Sequence, residues 1–314
     1  LVDGMLRNQW TTCSGFCTQA TESFFASCRA ARYSEHTLID YKNTFRKFEK
    51  VVSGNTPVNS ISVDEIVKFM GSPEVMQVSK KTALNYHTGL SSLWRWSVEK
   101  GYCETNIVRL VKAPRPEQRD IVPYTRREIE KLLGAANSSN LPERDFAIVL
   151  VLLDTGIRAS ELGDVKIKKV YIEERQILVL GKGGKERRLR VSQDTINVIV
   201  HYLNWRGCSK LSAYREKYLF LGNFNKKITR HTLRQLCDRL EVRANVANVY
   251  PHKFRHTFAI EFLRNGGNIF TLQKLLGHTT LDMVKRYLAI VQSDIDRDHD
   301  KASPVKNWHL VKQL

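Results

Sequence analysis

Residues 170–192, VYIEERQILVLGKGGKERRLRVS, alternate apolar and polar positions, are rich in β-branched residues and hold Gly181, Gly183 and Gly184 near their centre. Successive strand side chains point to opposite faces, so a period of two broken by glycines predicts an antiparallel hairpin or small sheet. Elsewhere the apolar residues recur at spacings of three and four, the period of a helix with one buried face. A single stretch of period two within a chain of helical period allows few folds. The expectation is a mainly α protein with a small antiparallel β-sheet, to which KYLFLG (217–222) can add one short strand.

A chain of 314 residues is long for one core, so two domains are expected. In the first, Leu38, Tyr41, Phe45 and Phe48 mark one buried helical face. Ser62 and Glu65, three apart, form a capping-box signature for a second helix. A third helix runs from Lys80 to a stop at Gly101, burying Leu84, Leu90, Leu93 and Trp94. It carries Lys80, Lys81, His87 and Arg95 as candidates for contact with a polyanion. The segment KAPRPEQRDIVPYTRREIEKLL, with three prolines and alternating charges, reads as an exposed linker ending at a Thr125–Glu128 capping box. We expect a helical domain over 1–113, a linker over 114–124, a second domain over 125–290 and a C-terminal tail over 291–314. Residues 1–32 can add a further helix, but the first residues stay outside the fold argument.

The net charge of +18 favours a polyanionic partner, because so large an excess repels itself. The basic residues spread over both halves, which suits a protein that surrounds nucleic acid. A membrane surface is the rival partner, but no lysine-rich amphipathic helix supports it. No apolar run is long enough to span a bilayer and nothing at the N-terminus reads as a signal peptide. Cys13, Cys17, Cys28, Cys103, Cys208 and Cys237 are scattered, without zinc-ligand spacing, and read as reduced intracellular thiols. The expected location is the cytoplasm.

Four short constellations in the second domain can carry chemistry. TGIRASEL sets Arg158 after a helix-ending glycine, with Glu161 one turn on. GKGGKERR places Lys182 and Lys185 at the hairpin tip, where a lysine can reach into a groove and Lys185 is a further candidate for DNA contact, in a spacing unlike a phosphate-binding Walker loop. PHKFRHTFA puts His252 and Arg255 on one side of a helix whose Phe254, Phe258 and Phe262 face the core. LLGHTTLDMVKRYLAI supplies His278 and Tyr287, the tyrosine at the edge of a stripe of Leu281, Val284, Leu288 and Val291. Each alone has an ordinary explanation: a surface ion pair, a solvated turn, a packing aromatic with its hydroxyl in water.

Together they form one inventory of arginines, lysine, histidines and tyrosine, with no carboxylate cluster to hold a metal. Breaking a phosphodiester needs charge stabilisation on the non-bridging oxygens, which paired arginines supply. It also needs a nucleophile and an acid for the departing oxygen. A phenol among such cations is expected to ionise more easily than its free pKa of about 10 allows. The set suits covalent transesterification of DNA with no metal or other cofactor.

The run from Arg158 to Tyr287 resembles the catalytic domain of the tyrosine recombinases, which include phage integrases, Xer recombinases and integrases of mobile genetic elements. TGxRxSEL, a β-hairpin lysine, HxxRH, LGH and a tyrosine nine residues past that histidine all occur in order. The helical first domain is similar in layout to the family's core-binding domain. The resemblance implies that Arg158 and Arg255 clamp the scissile phosphate and that Lys182 is the general acid, with Lys185 on the same turn as the alternative. It implies that His252 contacts the phosphate or assists proton transfer, that His278 positions the phosphate beside Arg255, and that Glu161 orients Arg158 or a neighbouring histidine. Tyr287 becomes the nucleophile that forms a 3′-phosphotyrosine link, and His256 has a structural place.

The implied partners are double-stranded DNA and further copies of the chain, as pairs of dimers forming a tetramer, with accessory DNA-bending proteins as another class. The tail is then expected to pack on a neighbouring subunit, inside a bacterial or archaeal cell. A type IB topoisomerase shares the same chemistry, and an inactive DNA-binding protein shares the same fold. A metal-dependent nuclease is disfavoured by the missing carboxylates.

Overall fold

The computed structural model describes residues 18–52, 56–117, 120–181, 184, 186–208, 217–222, 226–277 and 280–308. The chain divides into two compact units, residues 1–119 and 120–314. Among the described residues, no helix is long and apolar enough to cross a membrane.

The first unit holds α1 (Thr18–Ala30), α2 (Glu35–Phe48), α3 (Val63–Met70), the short α4 (Pro73–Met76) and α5 (Lys80–Glu99). Ser34, Ser62 and Ser79 start α2, α3 and α5 by accepting hydrogen bonds from backbone N–H groups that have no intrahelical partner. At Ser62 the capping box with Glu65 is complete, as its spacing predicts. Leu38, Phe45 and Phe48 are buried along α2. Phe48 meets Phe69 and Trp94 edge-on, with ring centroids 5.1 and 6.0 Å away. This orientation sets the positive edge of one ring against the negative face of another.

Two expectations for α5 change. Leu84 is only half-buried, while Ala83 and Gly89 face inward. His87 is buried, and its Nε2–H donates to the Val111 carbonyl at 2.9 Å. Its polar atom is committed within the unit, so the exposed basic face of α5 comprises Lys80, Lys81 and Arg95.

The second unit begins with α6 (Arg126–Asn137), α7 (Pro142–Thr155) and α8 (Ala159–Asp164). A three-stranded antiparallel sheet follows, β1 (Val170–Tyr171), β2 (Gln176–Leu180) and β3 (Glu186–Arg190), in the order β1-β2-β3. Ile177 faces Leu189 and Val179 faces Arg187 across β2 and β3. Arg187 therefore shares the inward phase of Leu189, which is fully buried.

The chain then returns to helix: α9 (Gln193–Trp205), α10 (Arg230–Ala244), α11 (Pro251–Arg264), α12 (Ile269–Leu276), α13 (Asp282–Ala302) and α14 (Pro304–Asn307). KYLFLG forms no strand. It makes an isolated bridge from Lys166 to Tyr218 and another from Leu221 to Lys227. Leu219 and Phe220 are both buried, so consecutive side chains turn inward and the alternation a strand needs is broken. The expected break between catalytic domain and tail at 290 falls inside α13, which runs on to Ala302.

Candidate active site

Two helix ends set the frame of the site. Gly156 follows α7 with φ +59, and a Cβ there would lie 2.5 Å from the Phe258 ring. Gly277 follows α12 with φ +61, and the Arg187 side chain packs against it closely. Both turns need a left-handed residue in a space where a side chain meets a neighbour, so glycine serves at each.

The last carbonyls of a helix lack intrahelical partners and carry the negative end of its dipole. At α12 three successive carbonyls are satisfied by three arginines. Arg187 Nε donates to Leu275 O at 2.8 Å, Arg255 Nη2 to Leu276 O at 2.6 Å and Arg158 Nη2 to Gly277 O at 3.1 Å. Arg255 Nη1 also donates to Gly156 O at 2.7 Å, so one guanidinium ties the ends of α7 and α12 together.

Glu161 is the counter-charge. Its two oxygens accept from Arg187 Nη1 and Nη2 at 2.8 and 2.7 Å and from Arg158 Nη1 at 2.9 Å. It also accepts from the Arg158 backbone N–H at 3.0 Å. Burial alone raises its pKa, but the combined hydrogen bonds and charges of Arg187 and Arg158 outweigh that and hold it below the ordinary carboxylate range. Three guanidiniums against one carboxylate leave an excess of positive charge, the property an anion site requires.

Arg255 is almost entirely buried. Burial, followed by the like charge of Arg158, lowers its pKa to about 10, which leaves it protonated at neutral pH. His252 stands exposed in the first turn of α11, and partial desolvation of its ring, then Arg255 and Arg158, lowers its pKa. Its ring packs edge-on to that of His256, one turn further along, with centroids 4.4 Å apart.

Tyr287 differs from the expectation in two ways. It lies at the centre of the buried face of α13, fully buried between Val284 and Val291, whereas Leu288 is 44% exposed. Its pKa is raised, because desolvation outweighs the opposing pull of Arg255 and Arg286. The phenol in this state is therefore harder to ionise than a free one. Its hydroxyl is 2.8 Å from His256 Nδ1.

The structure thus gathers Arg158, Glu161, Arg255, His252 and Tyr287 around the ends of α7, α12 and α13. Lys182, Lys185 and His278 lie outside the described residues, as do Cys13 and Cys17. Cys28, Cys208 and Cys237 are buried free thiols.

Sequence reasoning passed over Arg187, which closes the network on Glu161 and Leu275. The signal was present: in an alternating strand Arg187 falls in phase with Leu189 and Val191, so it points inward and requires a buried partner. His256 was noted only as structural, and the sequence contains no sign of its contact with Tyr287.

The profile of the Phage integrase family matches residues 124–293. The tyrosine recombinase XerC of Salmonella typhi is 30% identical over 218 residues, covering 69% of this chain and 72% of that protein. XerC of Alcanivorax borkumensis is 26% identical over 276 residues, covering 87% and 89%. Among solved structures, the Tn1549 transposon integrase in complex with transposon right end DNA matches with a TM-score of 0.71 at 18% identity, covering 88% of this chain and 98% of that one. A lambda integrase dimer bound to a COC′ core site matches with a TM-score of 0.68 at 18% identity, covering 85% and 93%. At such identities these structures establish the fold, a helical protein with a small antiparallel sheet. The chain belongs to the phage integrase family.

Proposed function

We propose that this chain is a site-specific DNA recombinase, cutting and rejoining strands through a 3′-phosphotyrosine link at Tyr287 without metal or ATP. The observation that carries this reading is the convergence of Arg158 and Arg255 on the end of α12, with Arg255 acting electrostatically on the Tyr287 hydroxyl. A scissile phosphate entering there exchanges the carbonyl contacts of the two guanidiniums for its own non-bridging oxygens, a stronger charge-assisted pairing. Those cations stabilise the extra negative charge of the pentavalent transition state. Glu161 and Arg187 hold Arg158 in place, and His252, exposed beside them, contacts the phosphate. Lys182 or Lys185 protonates the departing 5′ oxygen and His278 positions the phosphate, by their match to the family's motifs. Because Tyr287 is sealed from solvent here, attack requires its surroundings to open when DNA binds. The bond energy kept in the phosphotyrosine link lets the strand be rejoined without another energy source.

The partner in this reading is double-stranded DNA. The first unit is a core-binding domain that grips it through Lys80, Lys81 and Arg95 on α5. Two copies occupy one site, pairs of dimers form the tetramer that exchanges strands, and accessory DNA-bending proteins assist. Residues 291–314, which begin inside α13, pack on a neighbouring subunit. The location is the bacterial cytoplasm, on DNA.

Covalent trapping tests the reading. The full chain and Tyr287→Phe are incubated with a suicide DNA site in the presence of EDTA and separated on a denaturing gel. The expected result is an adduct that survives chelation and disappears with the variant, while DNA binding persists. Binding without any adduct would instead identify an inactive DNA-binding protein.

A further inference from the structure

Attack by Tyr287 requires its phenolic proton to leave, and the hydroxyl sits where ionisation is disfavoured. Among the described residues, its hydrogen-bond partner is His256 Nδ1, at 2.8 Å. A phenol is the stronger proton donor of such a pair and an imidazole nitrogen the stronger acceptor. His256 lies on α11 one residue after the phosphate-clamping Arg255 and one turn after His252, whose exposed ring stands edge-on against it. Proton acceptor, nucleophile and clamp therefore rest on the two packed helices α11 and α13.

We propose that His256 is the general base that takes the proton of Tyr287, a catalytic role beyond the structural place its motif suggests. The inference rests on the reading of Tyr287 as nucleophile. In cleavage the Oη–H bond breaks and the proton passes to Nδ1 of neutral His256, while Oη forms a bond to phosphorus. The P–O5′ bond breaks, and the 5′ oxygen takes a proton from a separate acid. In rejoining, a 5′ hydroxyl gives up its proton to that acid's conjugate base and attacks phosphorus. The Oη–P bond breaks, and Tyr287 recovers its proton from His256. Atoms and charge balance in both directions, and His256 ends each cycle neutral. His252 is left free to act on the phosphate.

The test measures single-turnover adduct formation by the full chain on two versions of one suicide site, with oxygen or sulfur at the bridging 5′ position. His256→Asn keeps a hydrogen-bond acceptor near Nδ1 but cannot hold a proton. It is expected to slow the oxygen substrate by about 100-fold or more, with DNA affinity and thermal midpoint unchanged. A sulfur leaving group departs without being protonated, so it should leave that deficit in place. A wild-type rate in His256→Asn would overturn the proposal, and so would full restoration by sulfur, which would place the lost proton on the leaving group. Should the variant prove less stable, a fluorinated tyrosine at position 287 decides. Its more acidic phenol must recover part of the rate in His256→Asn, and no recovery overturns the proposal. An adduct from the wild type together with a fast His256→Asn removes only this inference, whereas no wild-type adduct removes the nucleophile itself.

Discussion

The two units bury different chemistry. The described part of the helical unit has Thr44, Ser72, His87 and Ser97 as its buried polar residues, none of them a permanent ion, around a cluster of edge-on aromatic rings. The second unit buries Asp145, Glu161, Lys253 and Arg255. Burying a charge costs several kcal/mol unless it is paired and hydrogen-bonded, so a core built only for stability has little use for one. The described core of the first unit is thus held by neutral groups, whereas that of the second also fixes ions in position. In the second, guanidiniums end helices α7 and α12, and the proposed anion site uses the same atoms.

The largest expected effect tests the apolar side of this contrast. Phe48→Ala removes a fully buried ring from the first unit and should cost it about 4 kcal/mol. Hydrogen exchange should show that loss in α2, α3 and α5, with protection of α7 and α11 unchanged; an equal loss in both units would mean that they do not fold independently.

Glu161→Ala comes next. It strands two guanidiniums, and we expect about 3 kcal/mol of destabilisation, the low end for a buried pair because Arg158 keeps 33% of its side chain in water. Glu161 also has a pH signature. Its folded-state pKa is depressed, so its contribution is complete above its ordinary value of 4.5 and is lost as pH falls through the lower folded value. Thermal midpoints of the second unit should therefore fall more steeply below that pH in the wild type than in Glu161→Gln. Parallel curves would show that the carboxylate is not the counter-charge.

His87→Ala should cost about 1–2 kcal/mol, because the Val111 carbonyl loses its donor inside the first unit. Its effect on DNA affinity should be no larger than the loss of folded protein explains. The smallest change is expected from Lys81→Ala and Arg95→Ala, which are exposed on α5. Stability should not move, while each reduces the slope of log affinity against log salt by about one unit. A slope change in His87→Ala instead would return that residue to the DNA surface.

Much of this molecule is legible locally. The Ser62–Glu65 and Thr125–Glu128 boxes form as their spacing predicts, because a cap is made within one turn of chain. The hairpin around Gly184 and the helical stop at Gly101 are legible for the same reason, and both glycines have positive φ. The misreadings involve partners far along the chain. Apolar spacing alone ranked Leu288 above Tyr287 on α13, and only packing against α11 shows which of the two faces the core. His87 looked like a surface cation until the Val111 carbonyl, 24 residues on, claimed its ring.

Residue type and short-range period are enough for the helical class, the small sheet, the excess of positive charge and the family motifs. Folding in three dimensions is needed to bring Arg187 and Arg158 together on Glu161, to end α12 with three arginines, and to set the Tyr287 hydroxyl against His256. Apart from Arg158 and Glu161, three residues apart, those contacts join residues 21 to 119 positions apart. Their energy depends on distance and burial in space, and a linear pattern carries neither.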